Sequence, residues 1–259
     1  MASTHLAGPT QLRESYRRLT DRLAGAAERS GRRPGDVVLV AVTKNASPDQ
    51  IRLLAEMGHA DLGENRVQHL SQRVAQLEEF LSRKRMLAGA VPKTAGEVPP
   101  QVRWHMVGHL QRNKVKTVVP LVNLIHSVDS LRLAEEIHAY AGRHDRTVDI
   151  LIQVNTSGEP GKFGVAAPAV IHLAEQINTM IHLRLRGLMT IAPYSDNPED
   201  ARTTFARTAE LFGDLREAKI GGDCNILSMG MTGDFEVAIE EGANVVRVGQ
   251  ALFGEADSG

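Results

Sequence analysis

The stretch VVLVAVTKNASPDQIRLLAEMG, residues 37–58, reads as one complete strand–helix unit. Residues 37–42 are apolar on both faces and rich in valine, as in a parallel strand covered from both sides. Ser47 is a good helix cap, Pro48 suits the first helical turn, and Gly58 closes the helix.

The same alternation continues. HADLG (59–63) is a weak strand, followed by a helix from Glu64 to about Leu81. WHMVG (104–108) precedes a short basic helix, QRNKVKTVV, and LIHSV (124–128) precedes LRLAEEIHAYA, capped by Asp129 and Ser130. VDILIQV (148–154) leads to a helix over 168–180, and LRLRGLMTI (183–191) to the long helix opened by Asn197-Pro198. CNILSM (224–229) leads to DFEVAIEEG, begun by Thr232, and VVRVG (245–249) is the last strand. Ahead of all this, Leu12, Tyr16, Leu19 and Leu23 mark an N-terminal helix with Thr10 as cap.

Eight such units in 259 residues, about 32 residues each, predict an α/β fold: one (β/α)8 TIM barrel with an extra N-terminal helix. The chain reads as a single domain over 1–259. A doubly wound open sheet alternates in the same way and stays open as an alternative. SRKRMLAGAVPKTAGEVPPQVR (82–103) breaks the rhythm and reads as a mobile inserted loop.

Composition narrows the function classes. Thirty Lys+Arg against 31 Asp+Glu, with 4% aromatics, leave neither a basic field for a nucleic-acid backbone nor a stacking surface for bases. No apolar run approaches the ~18 residues of a membrane span, and no signal peptide is visible, so the expected location is the cytoplasm. A single cysteine, Cys224, fits a reducing compartment.

In a barrel of this kind the chemistry sits where strands end. Lys44 follows the first strand, either as a solvated strand-end lysine or as an amine able to attack a carbonyl. NILSMGMTGD (225–234) and NVVRVGQALFG (244–254) are the loops after the last two strands, where barrels build phosphate sites. Ser228 and Thr232 offer hydroxyls there, and Gly230, Gly233 and Gly249 allow close backbone approach. Arg247 alternates with Val246 and Val248 in a buried strand and needs an acceptor, from the chain or from a ligand. Several patterns do not carry function. NTSGEPGKFG lacks the Ser or Thr of a nucleotide loop, His105 and His109 lack a third metal ligand, and Cys224 lacks a basic partner.

Together, AVTKN (41–45), LGENRVQ (62–68), WHMVGHLQRNK (104–114), IHSVDS (125–130), VNTSGEPGKFG (154–164), GLMTIAP (187–193), LSMGMTGD (227–234) and VRVGQALFG (246–254) resemble the pyridoxal 5′-phosphate (PLP) homeostasis protein family. That family consists of single barrels similar to the N-terminal domain of alanine racemase, and the resemblance runs in order from about residue 35 to 254. It implies that Lys44 forms an internal aldimine with PLP. It implies that Ser228, Thr232, Gly249 and Gln250 cradle the phosphate and that Arg247 partners the pyridine nitrogen. Asn65, His105 and Met229 match positions near the cofactor. Thr43 stands where the family usually has Ser, and Gln250 where it often has Thr.

The resemblance implies a PLP holder, without strong catalysis, that acts in intracellular PLP homeostasis and passes cofactor to apo PLP-dependent enzymes. Arginine beside the ring nitrogen disfavours its protonation and so weakens the electron sink. A two-base racemase also needs a second base, which alanine racemases take from a tyrosine at an interface involving a second, β-rich domain. Tyr194 is the one tyrosine expected near the mouth. The alternatives are a small PLP-dependent amino-acid racemase and a barrel that binds a phosphorylated metabolite without PLP. A site built within one barrel makes a monomer the expectation.

Overall fold

The computed structural model describes residues 7–88, 101–158 and 163–254. Nine strands lie among the described residues: β1 (Val38–Val42), β2 (Asp61–Glu64), β3 (Arg103–Met106), β4 (Leu124–Val128), β5 (Val148–Asn155), β6 (Val165–Ala166), β7 (Leu183–Thr190), β8 (Ile226–Ser228) and β9 (Val245–Val248). They are hydrogen-bonded in the order β4-β3-β2-β1-β9-β8-β7-β5, and β4 also pairs with β5, which closes the ring. All these pairings are parallel. The two-residue β6 only extends β5 at its C-terminal end. The result is the closed eight-stranded barrel expected from the sequence, and closure excludes the open sheet.

The helices are α1 (Pro9–Arg29), α2 (Pro48–Glu56), α3 (Val67–Ala88), α4 (Val115–Val118), α5 (Leu131–Arg143), α6 (Val170–Asn178), α7 (Arg202–Glu217), α8 (Phe235–Glu240) and α9 (Gln250–Phe253). None is long and apolar enough to cross a membrane. The extra helix α1 buries Leu12, Leu19, Leu23, Ala26 and Ala27, packs on α8 and α9, and pairs Arg22 with Glu236 at 2.7 Å. Ser47 caps α2 as expected, in a reciprocal capping box with Gln50.

Three helix starts differ from the sequence reading. Gly8 rather than Thr10 caps α1, because Pro9 suits the first helical turn. α3 begins at Val67, because the Glu64 carboxylate accepts the N–H groups of Asn65 and Arg66 just before it. α8 begins at Phe235, with Asp234 accepting from Met231 N–H at 2.6 Å, which leaves Thr232 in the preceding loop. At the other end, α3 runs on to Ala88, so residues 82–88 are helix rather than inserted loop. Good helix formers and the Lys84–Glu56 ion pair to α2 (2.7 Å) carry it on. Residues 89–100 lie outside the described residues, and Arg103 already belongs to β3.

Gly187 marks a register shift where β7 passes β5. Its φ is +146°, and a Cβ there would collide with the carbonyl oxygen of Ile226 on β8. Gly187→Ala is therefore expected to destabilise the barrel by about 3 kcal/mol or more. Urea unfolding followed by circular dichroism measures it, and an unchanged midpoint would contradict the account.

Candidate functional site

Lys44 lies two residues beyond β1, in an exposed turn. The backbone beneath it is held by buried charge. Glu64, fully buried at the end of β2, accepts the Thr43 hydroxyl at 2.9 Å and the guanidinium of Arg73 from α3. Arg73 also donates to the carbonyl oxygens of Lys44 (3.3 Å) and Ala46 (3.1 Å). Desolvation lowers the Arg73 pKa below its ordinary value. One carboxylate thus fixes the turns after β1 and β2, including the one that presents Lys44. Thr43, where the resembled family usually has Ser, keeps a hydroxyl and donates it to Glu64.

Arg247 is buried in β9 and pairs in register with Val40 of β1. Its guanidinium donates to Ser228 Oγ at 2.7 Å and to the Thr190 carbonyl at 2.8 Å. Burial pushes its pKa down to about 10, while the charge of Asp234 works against that. Ser228 Oγ also meets His126 Nδ1 at 2.9 Å. His126 Nε2 meets His105 Nδ1 at 2.9 Å, and His105 Nε2 meets Asp61 Oδ1 at 3.1 Å. Asp61 is further gripped by Arg103 at 2.6 and 2.5 Å. Burial works to raise the Asp61 pKa, but the bonds from His105 and Arg103 outweigh it and hold the carboxyl well below its ordinary value. Both ring nitrogens of His105 and the hydroxyl of Ser228 are thus engaged inside the barrel.

The loops after β8 and β9 meet beside this network. Arg247 N–H donates to the Gly230 carbonyl, and Thr232 Oγ1 lies 3.5 Å from Ala251 N. Met229 is buried, whereas Gln250 is exposed at the start of α9. At Gly249 a Cβ would come within 2.7 Å of the Val42 carbonyl oxygen. The last turn therefore comes close to the strand that carries Lys44. On the other side of β1, Asn65 follows β2, and its buried Oδ1 has no hydrogen-bond partner.

Tyr194 is 94% exposed, and its hydroxyl donates to Asp196. Tyr16 is held by His59 on the outer layer, and Tyr140 stacks on His144. His109 pairs with Asp129 at 3.2 Å and stacks on Phe163 rather than facing His105. Among the described residues no three His, Cys, Asp or Glu side chains gather to hold a metal. Burial raises the Cys224 thiol to about 11. Glu159, Pro160, Gly161 and Lys162 of the VNTSGEPGKFG motif lie outside the described residues.

The structure thus brings Lys44, Ser228, Met229, Thr232, Arg247, Gly249 and Gln250 to the C-terminal ends of three neighbouring strands, with Asn65 on the next. The sequence reading did not single out Asp61, Glu64, Arg73, His126 or Thr190. A buried-strand histidine in LIHSV and an acid ending a buried strand in DLGE were the available signals.

A family model described as the alanine racemase N-terminal domain matches residues 34–257. The chain is 38% identical over 243 residues to a pyridoxal phosphate homeostasis protein of Aquifex aeolicus, covering 93% of this chain and 97% of that protein. Among solved structures, an unknown protein from Bifidobacterium adolescentis is similar with a TM-score of 0.82 at 36% identity, over 95% of each chain. PipY of Synechococcus elongatus, determined with PLP bound, is similar with a TM-score of 0.74 at 32% identity, over 91% of this chain and 99% of that one.

The buried histidines have a measurable consequence. Burial, with His105 and Arg247 nearby, holds His126 well below its ordinary value of 6.5, and burial likewise lowers His59. The native state then refuses protons that the unfolded chain accepts, so stability is present above the unfolded value and lost as pH falls through it. Asp61 adds to the loss below its ordinary value of 3.8. The melting temperature is expected to fall as pH drops from about 7 to about 5. The slope should be shallower in His126→Leu. Equal slopes in both proteins would contradict the assignment.

Proposed function

The chain belongs to the pyridoxal phosphate homeostasis protein family, built on the alanine racemase N-terminal-domain fold, and on that premise we propose that it binds PLP at the barrel mouth and holds it in reserve rather than turning over a substrate. The observation that carries this reading is the convergence of three different donors at the ends of three adjacent strands. Lys44 follows β1, the Thr232 loop follows β8, and Arg247 lies in β9 just before the Gly249 turn.

The residues present fit the group. PLP supplies an aldehyde that captures amines, and its other two binding features are a dianionic phosphate and a ring nitrogen. Lys44 is the amine for the aldehyde. Thr232, with the backbone at Gly249 and Gln250 and the loop carrying Ser228 and Met229, takes the phosphate. Glycine at 249 lets this turn sit tightly against β1, since a Cβ there would meet the Val42 carbonyl oxygen. Arg247 donates to the ring nitrogen, and the unpartnered Oδ1 of Asn65 is an acceptor kept for a ligand. His105 contributes through His126 and Ser228, since both its nitrogens are already engaged.

The same residues support holding over catalysis. A cation at Arg247 disfavours a proton on the ring nitrogen, and that proton is what lets the ring absorb negative charge from a substrate. Tyr194, the one tyrosine expected near the mouth, points its hydroxyl to Asp196 in a solvent-exposed loop. Apo PLP-dependent enzymes are the recipients such a reserve serves. A site assembled within one barrel works as a monomer in the cytoplasm.

Borohydride reduction of PLP-treated protein followed by peptide mapping is expected to place a phosphopyridoxyl group on Lys44. Lys44→Ala should lose it. Thr232→Val should weaken PLP retention by roughly tenfold, the value of one buried hydrogen bond. Tyr194→Phe should leave binding unchanged. Sustained amino-acid racemisation that Lys44→Ala abolishes would overturn the holding role, and an absence of any adduct would overturn PLP binding.

A further inference from the structure

Arg247 is a cation inside the barrel, yet among the described residues no carboxylate bonds to it. The nearest bonded route to one runs through Ser228 (2.7 Å), His126 (2.9 Å) and His105 (2.9 Å) to Asp61 (3.1 Å). Asp61 and Arg103 begin β2 and β3, at the N-terminal end of the barrel, whereas Ser228 ends β8 at the opposite end. β4 and β8 are not neighbours in the ring, so the bond from His126 to Ser228 spans the lumen.

The direction of each bond follows from the one before it. An ionised carboxylate only accepts, so His105 carries a proton on Nε2. Neutral His105 then accepts at Nδ1, which requires His126 to donate from Nε2. His126 in turn accepts at Nδ1, so the Ser228 hydroxyl donates to it. The single Ser228 hydrogen is then committed, and its oxygen presents lone pairs to Arg247. Every donor in the chain points away from Arg247 and toward Asp61. The opposite polarity needs a doubly protonated His105 beside His126 and Arg247. Asp61 is already matched by Arg103, so that charge would stand uncompensated in the lumen. It would also set two donors against Ser228 and leave the serine hydrogen without an acceptor in that chain of bonds.

We propose that Asp61, His105, His126 and Ser228 form a one-way relay of positioning residues that holds Arg247 with its remaining N–H donors set toward the ring nitrogen of the cofactor. This rests on the PLP reading above and adds to it what keeps the arginine in place. Of five guanidinium N–H donors, the bonds to Ser228 and Thr190 use two, and the relay prevents Ser228 from turning its hydrogen toward Arg247.

The test begins on cofactor-free protein labelled with 15N-histidine. Imidazole NMR, assigned through His105→Gln and His126→Gln, is expected to show both rings neutral with the proton on Nε2. A proton on Nδ1 of either ring would overturn the relay. The protein is then loaded with PLP labelled at the pyridine nitrogen. Asp61→Asn and His126→Leu are each expected to move the ring-nitrogen resonance and to loosen PLP about tenfold, with Lys44 still captured. An unmoved resonance and unchanged affinity in whichever variant folds would overturn the positioning role. Wild-type protein with both Nε2 tautomers that takes up no PLP overturns the functional reading, and with it the aim of the relay. A loaded protein with a reversed tautomer overturns the relay alone.

Discussion

A guanidinium inside a β-barrel must find acceptors, and much of the lumen is arranged around that demand. Taking a cation out of water costs several kcal/mol unless the geometry of its partners is good. Arg247 meets this with a backbone carbonyl from β7 and a hydroxyl from β8. That hydroxyl is itself tied across the lumen to β4, β3 and β2. The polar side chains therefore come from five strands, and the His126–Ser228 bond, between strands that are not neighbours, forms only when the sheet closes. Leu124, Leu151 and Met189 pack with Ile226 into a small apolar cluster of their own. The interior is thus divided between an apolar plug and a polar file that ends at the arginine.

A second buried charge does the equivalent work at the rim. Glu64 accepts from Thr43, Arg73 and two backbone N–H groups, so the turns after β1 and β2 are built on one carboxylate. With all its acceptor positions engaged, Glu64 is a poor candidate for proton transfer and a good anchor. The backbone of both turns is accordingly tied to Glu64 and Arg73, while Lys44 itself stays exposed. On the proposed reading, this anchor sets the backbone that presents the amine.

The strand–helix alternation was legible because its signals are local. VVLVAV, VDILIQV and LRLRGLMTI show doubly covered strands, and Ser47-Pro48 shows a helix start, each within a few residues. The alternation of Arg247 with its valines showed a buried cation in need of an acceptor. Lys44 and the two final loops stood out by position alone, since strand ends carry the chemistry in this fold. Helix boundaries were less legible, because Thr232 and Asp234 are both acceptable caps and only the fold of the loop chose between them.

The sequence by itself thus determined the strand–helix repeat, the family and the side chains at the strand ends, while the choice of closed barrel over open sheet came from the β4–β5 pairing. It did not determine what those side chains touch. Ser228 offered a hydroxyl in a phosphate loop, but the structure turns it inward to His126, 102 residues away. Asp61 and His105 are 44 residues apart, and Thr43 and Glu64 are 21 apart. Periodicity and capping act over a single turn or strand, so they can be read from neighbours in the chain. Contacts between neighbouring strands depend on strand stagger and on which way each residue faces, and the His126–Ser228 contact depends also on the closing of β4 onto β5. Only the complete ring fixes all three.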